Sequence, residues 1–306
     1  MATQEAHYAE HRPMLFGLAY RMLGSASDAE DIVQDVFARY MRLDAAGIGN
    51  EKAYLAKMTT NRCLNELQSS KRRREAYTGS WLPEPLPDEA AGGRGGEGYW
   101  SDPAERRGNI GYAYLVLLQK LSPLERAIYV LKETIGFEYA DLADMLDKTE
   151  ASCRKTFSRA QAKVKEAAPS ASSAPPSSLD EEREEARERF IDAFLRASDT
   201  GNFKPLLSFL LDEVTLLSDG GGKVRTALNP IIGIGRVQAF FEGIVAKGAF
   251  KEGFRRVRLN GEPGLALYRD GQATIVLCLE MEREPEGSRV RSIYMVRNPD
   301  KLTRFG

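Results

Sequence analysis

Two stretches of the chain combine cations, amides and aromatic rings in a way that suits nucleic acid. Between residues 51 and 75, seven positive and three negative side chains leave a local charge of +4. Cations neutralise phosphates, amides hydrogen-bond to base edges, and aromatic rings stack on unpaired bases. The side chains of these types include Lys52, Tyr54, Lys57, Asn61, Arg62, Asn65 and Gln68. An ordinary solvated helix would carry similar charges and is the alternative.

The second stretch has the pattern of a helix-turn-helix. Residues 137–146 form the first short helix, Asp147 to Thr149 the turn, and residues 150–159 the second helix. Asp147 stands where such turns often hold glycine, and Asp tolerates left-handed backbone better than most residues. The side chains predicted to face inward are Leu142, Leu146, Cys153 and Phe157, which leaves for a DNA groove Ser152, Arg154, Lys155, Ser158 and Arg159. A plain helical hairpin is the alternative.

The last third of the chain holds one candidate for acid–base chemistry. Asp219 could act as a base, with the hydroxyl of Tyr268 or Tyr294 stabilising an oxyanion. The chain has two histidines, His7 and His11, and both lie far upstream. Three glycines and Lys223 follow Asp219, a loop that favours a tight or closely packed contact and lacks the spacing of a P-loop. We therefore predict no catalytic residue, no cofactor and no metal site.

The hydrophobic pattern supplies the elements that position these residues. Before residue 77 it predicts three helices, the second with Ser27 as its N-cap and Glu30 completing a capping box. After residue 180 one amphipathic helix, with Phe190, Ile191, Phe194 and Leu195 inward, precedes several apolar or alternating runs. These runs predict strands at 214–217, 224–227, 265–268, 273–281 and 290–296, with a helix at 236–245 and hairpin turns at 269–272 and 284–287. Helices followed by antiparallel strands indicate an α+β domain.

Composition limits the class of protein. The 306 residues carry a net charge of −1, with 42% hydrophobic and 28% charged side chains, which excludes wholesale disorder and membrane-spanning classes. Three dispersed cysteines argue against disulfides and thiolate zinc sites, and the start of the chain has no signal pattern, so we expect a cytoplasmic protein. Stretches rich in Pro, Gly and Ser divide the chain into 1–77, a linker at 78–109, 110–167, a linker at 168–179, and 180–306.

Residues 15–75 resemble region 2 of sigma-70-type factors, and residues 112–166 resemble their region 4. Three short motifs occur in the same chain: Trp-Leu-Pro-Glu-Pro at 81–85, between the two regions, and Asp-Gly-Gly-Gly-Lys at 219–223 and Asn-Pro-Asp-Lys-Leu at 298–302, after them. Together they resemble the extracytoplasmic-function (ECF) sigma factors that carry a fused SnoaL-like domain. The resemblance implies two all-α sigma domains, a helical bundle and a helix-turn-helix, followed by an α+β cone of the SnoaL/NTF2-like type.

The resemblance also implies roles for individual side chains. An acidic helix would bind the β′ clamp helices of core RNA polymerase, and the β flap is a further expected contact. Region 2 would capture and melt the −10 element, beginning with a loop at 47–51, and region 4 would read the −35 element through the five residues named above. Polymerase binding is implied for Asp28, Glu30, Asp31 and Asp35, and contact with the −10 element is implied for Asn50, Lys52, Tyr54, Lys57, Asn61, Arg62 and Asn65.

The third domain is implied to regulate the other two in cis. The residues expected to form this brace are Trp81, Leu82, Pro83, Glu84, Pro85, Asp219, Gly220, Gly221, Gly222, Lys223, Asn298, Pro299, Asp300, Lys301 and Leu302. Local capping of the fold is the other interpretation of these motifs, and the cone could hold an unknown small ligand. The alternative function is a helix-turn-helix transcription regulator with a ligand-binding or isomerase-like C-terminal domain.

Overall fold

The computed structural model describes residues 2–43, 48–70, 77–88, 111–167 and 178–305. They form two compact units, the first from residues 2–43, 48–70 and 114–167, and the second from residues 77–88, 111–113 and 178–305. Gly47 of the expected −10 loop, residues 71–75 of the basic stretch and most of both predicted linkers lie outside the described residues. No helix within the described ranges is long and apolar enough to cross a membrane.

The first unit is helical. Its elements, with the helix that begins at the boundary of the units, are α1 (Ala2–Leu23), α2 (Ala26–Tyr40), α3 (Glu51–Ser69), α4 (Tyr112–Leu118), α5 (Pro123–Tyr129), a π-helical turn (Val130–Ile135), α6 (Tyr139–Leu146) and α7 (Glu150–Ala167). Apolar residues recur at helical spacing along α1 and α2, and these residues are buried: Leu15, Leu18, Ala19, Met22, Leu23, Ile32, Val33, Val36, Phe37 and Tyr40. Arg126 is 3% exposed, and its guanidinium donates to the Met22 carbonyl at 2.5 Å and to Gln119 at 2.9 Å. This cation therefore joins the end of α1 to α5.

The N-cap of α2 differs from the prediction. Gly24 takes a left-handed φ of 69° and ends α1, which leaves Ser25 extended with φ −129°. The Ser25 hydroxyl accepts a hydrogen bond from the Asp28 amide at 3.2 Å, while Ser27 is already helical. The helix therefore begins two residues earlier than predicted, since the glycine turn sets the cap.

The second unit packs helices on a six-stranded sheet. Helices α8 (Ser178–Thr200) and α9 (Ile234–Ala246) accompany strands β1 (Leu210–Asp219), β2 (Ile231–Ile232), β3 (Phe254–Leu259), β4 (Glu262–Arg269), β5 (Gln272–Glu284) and β6 (Gly287–Val296). The strand order is β2-β1-β6-β5-β4-β3, with β1 parallel to β6 and every other pair antiparallel. This arrangement confirms the predicted α+β class.

The predicted strands at 265–268, 273–281 and 290–296, which hairpin turns connect, lie within β4, β5 and β6. The strand predicted at 224–227 was wrong. Asp270 and Gly271 both take positive φ, 51° and 80°, as a two-residue hairpin turn requires. Residues 224–227 are not a strand, because the backbone turns at Gly220, whose carbonyl accepts from the Lys223 and Val224 amides. Strand β3 was missed, since exposed Arg255, Arg256 and Arg258 interrupt its apolar pattern.

An aromatic cluster fills the interior of the second unit. Phe194, buried as predicted, packs against Phe241 and Phe254 with ring centroids 5.2 and 5.3 Å away. Phe190 and Ile191 are also buried, whereas Leu195 is half-buried at the edge of this core. The rings pack on one another inside the cone, and the suggestion that the cone holds a small ligand stays untested.

Residues 77–88 belong to the second unit, although the predicted partition placed them almost entirely in a linker. Leu82 and Leu86 are each 1% exposed. The Leu86 amide donates to the Asn260 side chain at 3.1 Å, and the Asn260 amide donates to the Leu86 carbonyl at 2.8 Å. The Trp-Leu-Pro-Glu-Pro segment is therefore attached to the turn between β3 and β4.

Candidate nucleic-acid interface and the buried Asp219 site

The turn between α6 and α7 has the left-handed residue that the sequence predicted. Asp147 takes φ 50° and ψ 52°, and the following amide, of Lys148, donates to the Ala143 carbonyl at 3.0 Å. The Thr149 hydroxyl then accepts from the Ser152 amide at 3.2 Å and caps α7. These contacts fix how the second helix leaves the first, so the expected turn geometry is confirmed.

We expect Asp147→Ala to destabilise the first unit by about 1 kcal/mol. Alanine has a Cβ but no polar group that can hydrogen-bond to the nearby backbone, so it is disfavoured in the left-handed conformation. Asp147→Gly is the matched control and should be more stable than Asp147→Ala, because glycine adopts this backbone without strain. Urea unfolding followed by far-UV circular dichroism measures both. Equal stability of the two variants would contradict the strain at this turn.

The side chains predicted to read the −35 element all lie on the exposed side of α7. Cys153, Thr156 and Ala160 face the core, and Phe157, predicted to be buried, is half-buried against the Tyr129 ring at 5.8 Å. Exposed to solvent are Ser152, Arg154, Lys155, Ser158 and Arg159. The helix thus presents two serines and three cations on one accessible side.

Arg154 has partners that DNA could replace. Its guanidinium is 2.9 Å from the Glu150 carboxylate, one helical turn earlier, and lies 4.7 Å from the centroid of the Tyr139 ring. The Arg154 and Glu150 side chains are 60% and 49% exposed, and ion pairs of such exposure contribute little. These contacts keep the Arg154 guanidinium at the surface and contribute little to the stability of the fold.

The side chains of α3 predicted to contact the −10 element divide into two groups. Lys57 Nζ donates to the Asp144 carbonyl at 2.9 Å and lies 3.2 Å from its carboxylate, and Lys52 Nζ lies 5.7 Å from the centroid of the Phe137 ring. These two cations therefore contact the helix-turn-helix inside the first unit. The remaining members have other settings: Asn50 caps α3, Tyr54 packs near Tyr40, and Asn61 and Asn65 are exposed.

Arg62 and Asp35 contact each other. The Arg62 guanidinium donates to Asp35 at 2.6 Å, and Arg39 lies 3.6 Å from the same oxygen. A residue expected to bind DNA is thereby paired with one expected to bind polymerase. Of the four predicted polymerase-binding anions, Asp28 and Asp31 are exposed, while Glu30 is half-buried.

Asp219 ends β1 as a buried carboxylate with four hydrogen-bonding partners. It has no exposed surface. One oxygen lies 2.7 Å from Lys301 Nζ and accepts from the Leu82 amide at 2.9 Å. The other accepts from the Tyr77 hydroxyl at 2.6 Å and from the Gly221 amide at 2.9 Å. Both oxygens are satisfied, so the charge is compensated within the second unit.

Lys301 completes this site from the other side. Its ammonium donates to the Leu82 carbonyl and lies 4.1 Å from the Trp81 ring and 5.3 Å from the Tyr77 ring. Burial, together with the hydrogen bond to Asp219, raises the pKa of the Tyr77 hydroxyl, which therefore stays a donor. We call Tyr77, Trp81, Leu82, Asp219 and Lys301 the Lys301 site; it brings together one residue or more from each of the three motifs.

The remaining motif residues support the Lys301 site. The Asn298 side chain donates to the Tyr77 hydroxyl at 3.0 Å and accepts from the Asp300 amide at 3.1 Å. A Cβ on Gly221 would lie 2.5 Å from the Asn298 side chain, which explains why glycine stands there. At the periphery, Lys223 pairs with Asp300 at 2.6 Å in an exposed ion pair.

These contacts make Asp219 a poor general base. A base needs a free lone pair near a substrate, whereas every partner of Asp219 is a fold contact. Of the two suggested oxyanion donors, Tyr294 is engaged, since its hydroxyl donates to Glu280 at 2.7 Å, while the ring of Tyr268 lies 5.2 Å from the Arg255 guanidinium. Asp219 serves instead as the structural centre of the Lys301 site.

Sequence reasoning missed two tyrosines of this region. Tyr77 lies just before the first motif, at the predicted domain boundary, and Tyr112 donates from its hydroxyl to the Pro83 carbonyl at 2.6 Å. Neither residue belongs to a motif or to a charged cluster. Each tyrosine contacts a residue far away along the chain, 142 positions away for Tyr77 and Asp219, and no local sequence pattern predicts such a contact.

Comparison with known proteins gives two family matches. Residues 7–73 match the model described as Sigma-70 region 2, and residues 112–164 match the model described as Sigma-70, region 4. The first match spans most of α1 and all of α2 and α3, and the second spans α4 to α6 and most of α7. Both predicted regions are confirmed.

Relatives and a solved structure extend the likeness to the second unit. The chain is 29% identical over 305 residues to the ECF RNA polymerase sigma factor SigJ of Mycobacterium tuberculosis (strain ATCC 25618 / H37Rv), covering 95% of this chain and 91% of the relative. It is 31% identical to the probable ECF RNA polymerase sigma factor SigI of Mycobacterium tuberculosis (strain CDC 1551 / Oshkosh), covering 67% and 66%. The crystal structure of Mycobacterium tuberculosis SigJ matches with a TM-score of 0.70 at 26% identity over 98% of both chains.

Proposed function

We propose that this chain, an RNA polymerase sigma factor of the ECF group, reads promoters through two faces of its first unit and is regulated in cis by its second unit. Its partners would be core polymerase and promoter DNA, which places its action in the cytoplasm. The chain would contribute binding and no catalysis. The single observation that carries the proposal is the exposed polar side of α7, with Arg154 at its centre.

The −35 role follows from what that side of α7 offers. Arg and Lys bind guanine edges and phosphates, and serine hydroxyls bind either. The inward side of the same helix is closed by Cys153 and Ala160, so the exposed side is the one free to enter a groove. The left-handed turn at Asp147 sets the angle of entry, as in other helix-turn-helix proteins.

The −10 role requires a rearrangement within the first unit. Lys57 is paired with Asp144, and Lys52 lies over Phe137, so region 4 covers two of the expected DNA contacts. We infer that the described arrangement of the two regions is a resting form. Core polymerase that binds a more open form better would shift the population toward it. The Lys57–Asp144 pair is partly exposed, so its loss costs little.

The regulatory role rests on the Lys301 site. Trp81, Leu82 and Tyr77 precede region 4 in the chain, yet they bind Asp219 and Lys301 of the second unit. Residues 77–88, which are part of the segment that connects the two DNA-reading regions, are therefore bound to the C-terminal domain. A fixed connector restricts the spacings that the two regions can adopt, and release of the Lys301 site would remove that restriction. The geometry does not favour the isomerase-like alternative, because Asp219 is fully engaged.

We expect Arg154→Ala to weaken discrimination of −35 bases by about 1–3 kcal/mol, provided that Arg154 contacts a base edge in two places. The measurement is run-off transcription with purified core polymerase on a library of promoter templates. Specific start sites that depend on the protein are expected with the native chain. The control is Lys165→Ala, which removes an exposed cation from the last turn of the same helix.

Three outcomes separate the interpretations. Lost base discrimination only in Arg154→Ala supports direct readout by α7. A uniform fall for all templates assigns Arg154 to phosphate contact. The absence of specific initiation with the native chain would reject the promoter-recognition proposal.

A further inference from the structure

Both histidines of the chain face one carboxylate. His7 and His11 are four residues apart in α1, which places them on the same side of the helix. His7 Nδ1 lies 3.0 and 3.1 Å from the two oxygens of Glu51, and His11 Nε2 lies 3.8 Å from one of them. Glu51 is the first residue of α3. Two imidazoles and a carboxylate from two helices thus converge on one point.

We propose that His7, His11 and Glu51 bind a divalent transition-metal ion, for which Zn²⁺ is the best match. Two imidazole nitrogens and a carboxylate oxygen are a donor set that Zn²⁺ uses. Metal–ligand bonds of about 2.0–2.2 Å in a tetrahedron place the ligand atoms about 3.3–3.6 Å apart. The three donor atoms here all lie within 4.8 Å of one another. The 3.0 and 3.8 Å separations lie on either side of the required spacing, so small side-chain rotations suffice.

A tyrosine hydroxyl lies beside the carboxylate. Tyr40 is 8% exposed, and burial together with the neighbouring Glu51 carboxylate raises the pKa of its hydroxyl, which therefore stays a donor. Such partners commonly fix the direction of a metal-binding carboxylate. Glu51 and His11 are half-buried while His7 is exposed, so an ion could enter from solvent. Three protein ligands leave one position for water, as in open zinc sites.

Few other donors compete with this site. Within the described ranges it is the one group of three or more His, Cys, Asp or Glu residues whose donor atoms converge. The thiols of Cys63, Cys153 and Cys278 are buried, and burial raises the pKa of each. The sequence pattern predicts no metal site, because His11 and Glu51 lie in different helices, far apart along the chain, and no local spacing connects them.

Metal binding would fix the start of α1 to the start of α3. Asn50 caps α3 immediately before Glu51, and Lys52 follows it. An ion at this point would therefore hold the backbone beside two of the side chains expected to contact the −10 element. The inference goes beyond the proposed function and does not depend on it.

The test is a metal titration of the full-length chain. Protein freed of metal with EDTA is titrated with Zn²⁺ in competition with a chromogenic chelator. We expect one equivalent to bind with micromolar or lower Kd, and the variant with His7→Gln and His11→Gln to bind at least about 100-fold more weakly. Glu10→Gln, which changes an exposed carboxylate on the same helix, should leave the affinity unchanged. Circular dichroism of the metal-free variants verifies that they fold.

Two further measurements identify the ligands. Co²⁺ should give visible bands of a nitrogen- and oxygen-ligated ion without the intense absorption of a cobalt–thiolate bond. Tyr40→Phe should weaken Zn²⁺ binding about 10-fold without changing the stoichiometry, because Tyr40 positions Glu51 and is not itself a ligand. Failure of the native chain to bind Zn²⁺ would overturn the proposal. Equal binding by the double histidine variant, or a thiolate spectrum, would do so as well.

Discussion

Replacing Lys301 with methionine should destabilise the second unit by about 3–5 kcal/mol, because it leaves the Asp219 carboxylate buried without its cation. Asp219 has no exposed surface, and Lys301 is 9% exposed. The change also removes the ammonium from the Trp81 ring and from the Leu82 carbonyl. Methionine keeps a long apolar side chain, so packing is altered less than charge. Urea unfolding followed by tryptophan fluorescence measures the loss.

Two controls isolate the buried pair. Lys223→Ala is the first control, because it also removes a motif lysine that forms an ion pair, here with Asp300. Both partners are exposed, Lys223 at 56% and Asp300 at 62%, so the expected loss of stability is at most about 1 kcal/mol. Lys301→Met combined with Asp219→Asn should cost less than the sum of the single changes, since neither charge is then left alone. If Lys301→Met costs no more than Lys223→Ala, the Lys301 site does not stabilise the unit.

The same variant tests regulation in cis. The Lys301→Met chain keeps every residue of region 2 and region 4, but it loses the contacts of Lys301 with the segment at 77–88. Its output in run-off transcription is compared with that of the native chain. Higher specific output than the native chain would make the second unit a brake, and lower output would make it a required brace. Unchanged output, with the destabilisation verified, would contradict regulation through this site. A truncation after residue 167 is a weaker test, because it also uncovers Leu82 and Leu86.

Local chemistry predicted much of the first unit. The apolar spacing of α1 and α2 determined which sides are buried, and the short polar side chain of Asp147 explained its left-handed backbone. Ser27 was the wrong cap, because a serine two residues earlier follows the glycine that ends α1. In the second unit, residues 224–227 form no strand, and they directly follow the turn that the Gly220 carbonyl closes.

What the sequence could not supply are contacts between distant residues. The motifs identified Trp81, Asp219 and Lys301 as a set, but not that Tyr77 would join them or that both oxygens of Asp219 would be occupied. The pairing of Lys57 with Asp144 joins residues 87 positions apart. Such pairs depend on how helices pack, and helix packing is determined by surfaces assembled from the whole unit. No local pattern predicted a ligand for the two histidines, because only the packing of α3 on α1 brings Glu51 beside them.

Reversing both Asp28 and Asp31 to lysine should weaken binding to core polymerase by roughly 100-fold or more, a loss of about 3 kcal/mol, because like charges would then face each other across the interface. Both carboxylates are exposed on α2. Asp35 is excluded from the test although the sequence nominated it. Its carboxylate pairs with Arg62 and Arg39, so a lysine there would disturb the first unit itself.

Binding is measured with purified core polymerase by fluorescence anisotropy of the labelled full-length chain at fixed salt. The matched control reverses two exposed acids elsewhere in the first unit, Glu10→Lys with Glu133→Lys, and thus makes the same change in net charge. The control should bind as the native chain does, apart from a modest effect that salt screens. Equal losses in both variants would show that polymerase senses net charge rather than α2. Unchanged binding by the Asp28 and Asp31 variant would remove α2 from the polymerase interface, and with it the assignment of the acidic helix to that role.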